Sequence, residues 1–381
     1  MEIIDLAAIP LSHDLEPGRA FGGSRGMTDS RSTTLVRLET DDGTVGWGEA
    51  FASPRAVAAL IEDEFADAIL GSSPIEAESL ADRVYTGDIG GYHAAREALA
   101  QSALSAVEVA MWDLRGKAAG LPVHELLGGQ RVESVVPYAS TMYLTEWGED
   151  PADPMEVAAA DGFTAAKIKI GGGREDDRCR VEIAREILGD DAHLMVDYNG
   201  NYTPRQAIAS IRDLEPYDIT WVEEPVPPEN YSGYREIRDR VDVPLAAGEA
   251  HYGRFEFTRL LEEGLVDVIQ PNLGRCGGFA EARFVAKLAT TANAIVRPHV
   301  WNSAIGTAAA LQFAASLSSY PHAQGMEPDP VLFEFDRSEN PLRHELLESP
   351  LDPTGGTLAV PQSPGLGIEV DETAVDRFRL E

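Results

Sequence analysis

The segment that decides the fold is residues 165–249, in which four short apolar runs end beside charged residues: AAKIKI (165–170), LMVD (194–197), ITWVE (219–223) and LAAGE (245–249). Stretches with helical spacing of apolar residues separate these runs. Short apolar runs that alternate with helical segments are typical of parallel strands joined by right-handed crossovers. The segment therefore predicts part of a parallel sheet covered by helices.

The same alternation extends on both sides, through residues 131–330. Eight apolar runs share the pattern: 135–139, 165–170, 194–196, 219–222, 245–247, 266–269, 294–296 and 323–326. Eight parallel strands with seven intervening helices match the strand number of a closed (β/α)₈ barrel. We therefore expect an α/β fold, with a TIM-type barrel as the catalytic domain over residues 131–330.

The first 130 residues have a different pattern. Extended stretches at 2–9, 32–39 and 44–49 are joined by turn signals and predict a three-stranded meander, and helical spacing follows over 54–70, 75–85 and 93–119. These features predict an α+β capping domain over residues 1–130. Residues 331–381 are too short for a separate domain, so we expect them to complete the cap.

A glycine-rich stretch, residues 17–31, lies between the first two strands of the meander and holds Arg19 and Arg25. It is too polar and too rich in glycine for a core, so we expect a mobile loop. Such a loop would close over the polyhydroxylated or second-carboxylate end of a substrate, and its closure would exclude water from the site beneath it.

The net charge excludes several classes of partner. The 381 residues carry 64 acidic against 31 basic side chains, a formal charge of −33, which repels nucleic-acid phosphates and anionic lipid surfaces. Four of the basic residues are lysines, at positions 117, 167, 169 and 287. An acidic, lysine-poor surface depends on concentrated counterions for screening. We therefore expect a halophilic source, and neither nucleic acid nor membrane as a partner.

Two further features concern the cellular compartment. The N-terminal stretch has acidic rather than basic residues, and no apolar run approaches the roughly 18 residues of a membrane span, which predicts a cytoplasmic protein. The two cysteines, Cys179 and Cys276, stand in no CxxC or Cys/His cluster. We expect both to be ordinary buried thiols.

A polar residue stands at the C-terminal end of nearly every predicted strand. In order, these residues are Lys169, Asp197, Glu223, Glu249, Asn272, His299 and Glu327. The spacing between successive members is close to the length of one strand–helix unit, so all should project into one mouth of the barrel. Barrel enzymes have their active sites at that mouth.

Three of these residues are carboxylates on consecutive strands: Asp197, Glu223 and Glu249. Their mutual repulsion in a small volume would be severe without a bound cation. Hard oxygen ligands without cysteine or histidine favour Mg²⁺, with Mn²⁺ as an alternative. The sequence therefore predicts a divalent metal site.

Lys167 and Lys169 are two residues apart, so both side chains point to one face of a strand, which in a barrel is the interior. A second ammonium and a nearby metal disfavour a charged amine, so we expect the pKa of Lys169 to be lowered toward that of a general base. His299 is a candidate second acid or base. Glu327 is a candidate contact for the substrate carboxylate.

These motifs together resemble the enolase superfamily, and within it the mandelate racemase subgroup. The resemblance covers essentially the whole chain and rests on motifs in a fixed order: VGWGE (45–49), MWDL (111–114), LLGG (126–129), KIK (167–169), VDYN (196–199), VEEP (222–225), GE (248–249), QPN (270–272), CGG (276–278) and PH (298–299). It implies a cap over a modified barrel, Mg²⁺ on Asp197, Glu223 and Glu249, the second lysine as base, and a carboxylate substrate.

Closer similarity points to galactarolactone cycloisomerases and sugar-acid dehydratases, through residues 298–301 (PHVW), 327–328 (EP) and 334–341 (EFDRSENP). Asn272 departs from most of the subgroup, which has an aspartate there to raise the basicity of the histidine. Asparagine can orient His299 but adds no charge. We therefore expect removal of the α-proton of a sugar acid or its lactone, followed by β-elimination.

Two other functions stay open: a racemase or epimerase of a 2-hydroxy acid, which needs His299 as a second base, and a non-catalytic carboxylate-binding barrel. For the enzyme, the expected catalytic residues are Lys169, Lys167, His299, Asn272 and Glu327. The expected substrate-binding residues are Arg19, Arg25, Tyr143, Asn199 and Trp301. We also expect a homo-oligomer.

Overall fold

The first 50 residues form antiparallel strands, and three of these strands make up the predicted meander. The computed structural model describes residues 1–91, 97–318 and 330–380. Its first strands are β1 (Ile3–Asp14), β2 (Phe21–Gly23), β3 (Gly26–Thr28), β4 (Ser30–Thr40) and β5 (Val45–Ala50). Strands β1, β4 and β5 pair in that order, all antiparallel, which confirms the predicted meander.

The glycine-rich stretch between β1 and β4 is a short hairpin instead of the predicted mobile loop. Strand β2 pairs with β3, and on its other edge it pairs with β7 (Leu144–Thr145), which lies after the first barrel strand. The backbone bonds to β7 fix the base of the hairpin to the barrel. Its tip, which includes Arg25, reaches the barrel mouth.

Helices complete the cap and pack on the meander. They are α1 (Pro54–Leu60), a π-helical turn (Ile61–Phe65), α2 (Ala66–Ile69), a 3₁₀ turn (Pro74–Glu76), α3 (Ala77–Thr86), α4 (Ala98–Ala119) and α5 (Val123–Leu126). Helix α4 is buried along most of its length against β5. Gly48 makes this close approach possible, because a Cβ there would overlap the carbonyl oxygen of Ala106.

The parallel sheet has the strand order of a barrel. Within the described ranges its eight strands are β6 (Ser134–Thr141), β8 (Ala165–Lys169), β9 (His193–Asp197), β10 (Ile219–Glu223), β11 (Leu245–Ala247), β12 (Val268–Ile269), β13 (Ile295–Val296) and β14 (Leu332–Asp336). Neighbours pair in the order β13-β12-β11-β10-β9-β8-β6-β14, and each pair is parallel. The predicted modified barrel with an α+β cap is confirmed.

On the side of β6 away from β8, the neighbouring strand is not the one that the sequence pattern predicted. We expected the last barrel strand at 323–326, which lies outside the described residues, and expected the chain after residue 330 to join the cap. Instead β14 pairs with β6 in the barrel sheet, from Leu332 opposite Val136 to Asp336 opposite Ser140. The end of the chain does return to the cap, where Arg379 bridges to Leu11 of β1.

Helices cover the outer face of the sheet. They are α6 (Ala152–Ala160), α7 (Arg174–Leu188), α8 (Pro204–Leu214), a 3₁₀ turn (Glu215–Tyr217), α9 (Tyr231–Arg238), α10 (Gly253–Glu262), α11 (Gly278–Ala292) and α12 (Ala304–Ser316). The chain after β14 forms a short helix α13 (Pro341–His344), a short strand β15 (Leu358–Ala359) and the last helix α14 (Glu372–Phe378). Among the described helices, none is both long and apolar enough to cross a membrane.

Cys276 is buried as predicted, whereas Cys179 on α7 is exposed, because it lies on the solvent side of the helix.

Buried cap carboxylates hold the cap on the barrel. Glu108 accepts the backbone N–H of Phe279 at 2.8 Å, at the start of α11. Glu49 accepts the backbone N–H groups of Ser303 and Gly306 at 2.9 and 2.7 Å, at the start of α12. A carboxylate at a helix N-terminus satisfies N–H groups that have no partner within the helix. The cap is thereby fixed over helix starts at the mouth of the barrel.

Candidate active site

Three carboxylates meet at the C-terminal ends of neighbouring strands. Asp197 ends β9, Glu223 ends β10, and Glu249 follows β11 by two residues. The register pairs Glu223 with Asp197 directly, and one oxygen of each of the three side chains lies within 4.8 Å of the others. Asp197 and Glu223 are fully buried, while part of Glu249 faces the cavity described below. We call these residues the carboxylate triad.

The two lysines of β8 point into the barrel, as the alternation predicts, but to different depths. Lys169 Nζ lies 2.5 Å from Asp197 Oδ2, and its side chain lines the cavity. Lys167 is buried beneath it, with Nζ 2.6 Å from Glu223 Oε1 and 2.9 Å from Glu334 Oε1. Lys169 is therefore the lysine of this pair that a ligand in the cavity can reach.

The triad shifts the pKa of Lys169 in the direction opposite to our prediction. Burial by itself lowers the pKa of Lys169, but the negative charge of Asp197, with Glu249 and Glu223, outweighs burial and raises the pKa above its ordinary value. The predicted lowering included the charge of a bound metal, so it concerns the metal-bound site and stays a prediction. Burial lowers the pKa of Lys167 as well, but the charges of Glu223 and Glu334 outweigh burial and raise it well above its ordinary value.

Asn272 and His299 lie beside the last member of the triad. Asn272 Nδ2 lies 2.9 Å from His299 Nδ1. His299 Nε2 lies 3.2 Å from Glu249 Oε2, and burial lowers the pKa of the His299 ring although the charge of Glu334 opposes this. His299 therefore adjoins the last carboxylate of the triad, as Lys169 adjoins the first.

Glu334 was not among the predicted site residues. It lies in the middle of β14, fully buried, and accepts the backbone N–H of Val300 at 2.8 Å in addition to its ion pair with Lys167. Burial raises the pKa of Glu334, but Lys167 and His299 outweigh burial and hold the pKa far below its usual range. The run LFEFD (332–336) carries the signal, since its glutamate faces the barrel interior once this run is taken as a barrel strand.

Aromatic side chains form one wall of the site. The hydroxyl of Tyr143 donates to Asp336 Oδ1 at 2.9 Å and accepts the indole N–H of Trp301 at 3.1 Å. The buried Arg31 pairs with Asp336 Oδ2 at 2.9 Å, and its guanidinium lies 3.7 Å from the ring centre of Trp301. Because these polar atoms are already bonded, Tyr143 and Trp301 offer the cavity mainly the faces of their rings.

A cavity of about 430 Å³ lies between this wall and the triad. Of the residues predicted to bind substrate, those that line it are Arg25, Tyr143, Asn199 and Trp301. Arg19 instead lines a neighbouring cavity, because its guanidinium stacks 3.9 Å from the ring centre of Trp147. Glu327 lies outside the described residues.

Asn199 holds the first carboxylate of the triad in place. Its backbone N–H donates to Asp197 Oδ1 at 2.8 Å, and its side-chain amide lies 3.3 Å from Asp197 Oδ2. Its φ of 44° is in the left-handed region, which asparagine adopts more readily than most residues. Asn199 therefore contributes to the position of Asp197 as well as to the cavity wall.

The donor set fits a divalent cation. All three triad side chains offer carboxylate oxygens, the ligands that Mg²⁺ and Mn²⁺ prefer. Burial, with the charge of the neighbouring Asp197, raises the pKa of Glu223 to about 7 even though Lys167 opposes the shift. The three carboxylates of the triad and Glu334 outnumber the two lysines that pair with them, and a bound cation would supply the missing positive charge.

Two family profiles match the chain. "Mandelate racemase / muconate lactonizing enzyme, N-terminal domain" matches residues 12–128, and "Enolase C-terminal domain-like" matches residues 150–374. The chain belongs to the enolase superfamily. Its cap and barrel correspond to the two domains of that superfamily, as the sequence motifs predicted.

Enzymes of the superfamily align with nearly the whole chain. D-galactarolactone cycloisomerase of Agrobacterium fabrum is 38% identical over 385 residues, covering 100% of this chain and 99% of that protein. D-galactonate dehydratase of Ralstonia nicotianae is 31% identical, covering 90% and 89%. The crystal structure of the 3,6-anhydro-D-galactonate cycloisomerase from Zobellia galactanivorans superposes with a TM-score of 0.87 at 34% identity, covering 100% of both chains. The protein is therefore an enzyme, and the non-catalytic alternative is wrong.

Proposed function

We propose that this enolase-superfamily enzyme removes the α-proton of a sugar acid or of its lactone, and that a β-carbon–oxygen bond then breaks. The observation that carries the proposal is the position of Lys169, whose Nζ atom lies 2.5 Å from Asp197 and in the wall of the cavity. An amine beside a metal-binding carboxylate can take a proton from the carbon next to a bound substrate carboxylate.

Buried contacts hold the proposed base in place. Arg180 donates through Nε to the carbonyl oxygen of Lys169 at 2.8 Å and, through a second N–H, to the carbonyl oxygen of Met142. Asp177 accepts the backbone N–H of Gly171 at 2.7 Å, two residues after the lysine. Since these bonds fix the end of β8, the reach of Lys169 Nζ is limited to the region beside the triad.

We infer that the metal is Mg²⁺, with Mn²⁺ as an alternative, and that Asp197, Glu223 and Glu249 hold it. These three carboxylates would hold the cation, and a cation held so would still be able to bind water or substrate oxygens. When bound, the cation supplies positive charge beside the negative charge that develops on the substrate carboxylate. Asp197 raises the pKa of Lys169 less when it shares its charge with a cation, which favours a neutral amine.

The cavity walls support a sugar-acid substrate. The charged groups that line the cavity include Glu249 of the triad, Lys169 and Arg25, and the aromatic groups include Tyr143 and Trp301. Such a site combines a few placed polar groups with an apolar wall, the usual composition of a small-molecule site. The cycloisomerases and the dehydratase described above act on sugar acids or their lactones, which supports the same class for this enzyme.

Proton NMR in D₂O, with Mg²⁺ and high KCl, tests the proposal across a library of aldonates, aldarates and their lactones. We expect one substrate to exchange its α-proton and to form a keto product, and Lys169→Met to lose both reactions. Lys287→Met on the outer helix α11 is the matched control. Exchange of both C2 epimers without elimination would show an epimerase instead, and no exchange with any acid would contradict the proposal.

A further inference from the structure

A second cavity lies beside the active site, where the cap meets the barrel. Its volume is about 240 Å³, against about 430 Å³ for the cavity at the triad. The cap lines it with Thr28, Ser30, Arg31, Ser32, Thr33, Glu49, Phe51 and Ala52, and the rest of the chain with Arg275, Trp301, Asn302, Ser303, Asn340 and Leu342. We call it the junction cavity. Of the described residues that line it, none is Lys169 or a member of the triad.

An aromatic wall separates the junction cavity from the active site. Phe51 and Trp301 line both cavities, and their rings pack edge to face with their centres 6.3 Å apart. Thr28 of the hairpin is the third residue that the two cavities share. A molecule in the junction cavity would therefore lie next to the active site without touching the proposed metal ligands.

The junction cavity contains one charge that the protein does not neutralise. Arg31 is paired with Asp336, and Glu49 is held by the N–H groups at the start of α12. Arg275 differs from both. Among the described residues, none forms a hydrogen bond or an ion pair with the Arg275 side chain, and its Nε atom is buried. A buried guanidinium N–H without an acceptor is unfavourable, so the arginine indicates a site for a negatively charged ligand.

The backbone fixes Arg275 at the wall of the cavity. The preceding residue, Gly274, accepts the backbone N–H of Phe51 at 2.7 Å, just after β5, and the backbone N–H of Arg275 donates to the carbonyl oxygen of Asn272 at 3.0 Å. A Cβ at Gly274 would lie only 3.0 Å from the Phe51 nitrogen, so a glycine suits this close approach of the loop to the cap. The Arg275 side chain therefore starts from a rigid position.

An acceptor without a donor lines the same cavity. Asn340 is 4% exposed, and its Nδ2 atom donates to the carbonyl oxygen of Asn302 at 3.3 Å. This bond sets the direction of the amide, because the turned amide would place Oδ1 against that carbonyl oxygen. The Oδ1 atom is buried and has no hydrogen-bond partner among the described residues. A ligand hydroxyl would supply the donor that Oδ1 lacks.

We propose that the junction cavity is a second binding site, for a small hydroxylated carboxylate that pairs with Arg275 and donates a hydroxyl hydrogen bond to Asn340 Oδ1. This site goes beyond the catalytic function proposed above. A guanidinium binds a carboxylate through parallel N–H donors, and an amide oxygen accepts from a hydroxyl but repels a carboxylate oxygen. The two groups together therefore select a hydroxy acid over a simple anion or a neutral polyol.

Titration calorimetry of the full-length enzyme with Mg²⁺ tests the role of the arginine, with D-glycerate as the probe and the ionic strength held constant. We expect Arg275→Gln to weaken glycerate binding at this site about tenfold or more, because a charge-assisted hydrogen bond is lost. Arg205→Gln, at an exposed position of α8, is the control for the loss of one positive charge. Equal affinities of the two variants would overturn the inference.

A carboxylate can also bind at the proposed metal, so the titrations are repeated in the Glu249→Gln background, which lacks one ligand of the triad. Glu249 does not line the junction cavity, and we expect binding that depends on Arg275 to persist in this background. Loss of all glycerate binding in Glu249→Gln would assign the acid to the catalytic cavity alone and would overturn the inference.

Propionate, which has the same charge but no hydroxyl, tests the role of Asn340 in the Glu249→Gln background. We expect glycerate to bind about fivefold more tightly than propionate, the contribution of one hydrogen bond, and Asn340→Ala to abolish this difference. Because Asn340→Ala also loses the bond to Asn302, the comparison of the two acids tests the hydroxyl without that substitution. Equal affinities for the two acids would overturn the inference. The exchange of the α-proton by Lys169 is measured separately, so failure of this inference leaves the proposed function intact.

Discussion

Lys167 and Glu334 form a buried ion pair, with Nζ 2.9 Å from Oε1, between strands β8 and β14 on either side of β6. Lys167 also pairs with Glu223 of the triad at 2.6 Å. The lysine therefore links the last barrel strand to the proposed metal site from below the cavity. Its place in the structure is that of a buried counter-charge, whereas Lys169 above it faces the cavity.

Replacement of each lysine by methionine should have different effects on stability and on activity. Lys167→Met leaves two carboxylates buried without their partner, so we expect the free energy of unfolding to fall by about 3–5 kcal/mol, measured by urea unfolding. Lys169→Met removes a partner of Asp197 alone, which keeps the backbone N–H of Asn199, so the free energy of unfolding should fall less than in Lys167→Met, while α-proton exchange should fall by about 10²- to 10⁴-fold or more. An essential Lys167 with a dispensable Lys169 would show that the base is assigned to the wrong lysine.

Metal binding should depend on Glu249. Glu249→Gln replaces a charged ligand of the triad with a neutral amide, so we expect titration calorimetry to show weaker Mg²⁺ and Mn²⁺ binding and activity to fall with it. Glu262→Gln, an exposed residue of α10, is the control for the loss of one negative charge. Unaltered affinity and activity in Glu249→Gln would exclude the triad as the metal site.

The hydroxyl of Tyr143 should matter for stability more than for substrate binding. It is already bonded to Asp336 and Trp301, so Tyr143→Phe should lower the free energy of unfolding by about 1 kcal/mol and leave KM within about twofold. Tyr143→Ala removes the ring face as well and should raise KM. A large rise of KM in Tyr143→Phe would instead indicate that the hydroxyl contacts the substrate.

The acidic surface should make the fold depend on salt. With a formal charge of −33, self-repulsion grows as the Debye length increases from about 3 Å at 1 M to about 10 Å at 0.1 M. We expect Tm, followed by circular dichroism, and activity to fall as KCl decreases well below molar. Full stability in dilute buffer would refute the halophilic interpretation.

Asn272→Asp should change which face of the substrate exchanges its proton. A carboxylate at this position accepts a hydrogen bond from a protonated Nδ1 of His299. The other ring nitrogen, Nε2, is then unprotonated and able to act as a base. We expect the unmodified enzyme to exchange the α-proton of one C2 epimer in D₂O. The variant should exchange the second epimer as well and open the lactone more slowly. Comparable exchange of both epimers by the unmodified enzyme would make His299 a working base and would favour epimerisation.

The sequence by itself determined the parallel arrangement of the sheet from β6 to β13 and the position of the triad. Parallel strands that alternate with helices bring their C-terminal ends to one edge, so Lys169, Asp197, Glu223 and Glu249 could be assigned to one mouth from their spacing alone. The alternation of side chains along a strand also determined that Lys167 and Lys169 share a face. Both rules depend on local geometry, which the order of residues specifies.

Only the tertiary structure decided what depends on contacts between distant residues. The strand beside β6 is Leu332–Asp336, and Arg19 is held away from the cavity by Trp147. The raised pKa of Lys169 depends on the sum of the surrounding charges. The direction of the Asn272 amide depends on Asn302, which Glu49 fixes from 253 positions away in the chain. Hydrogen-bond direction and electrostatic balance depend on distances in space, and spacing in the sequence does not specify those distances.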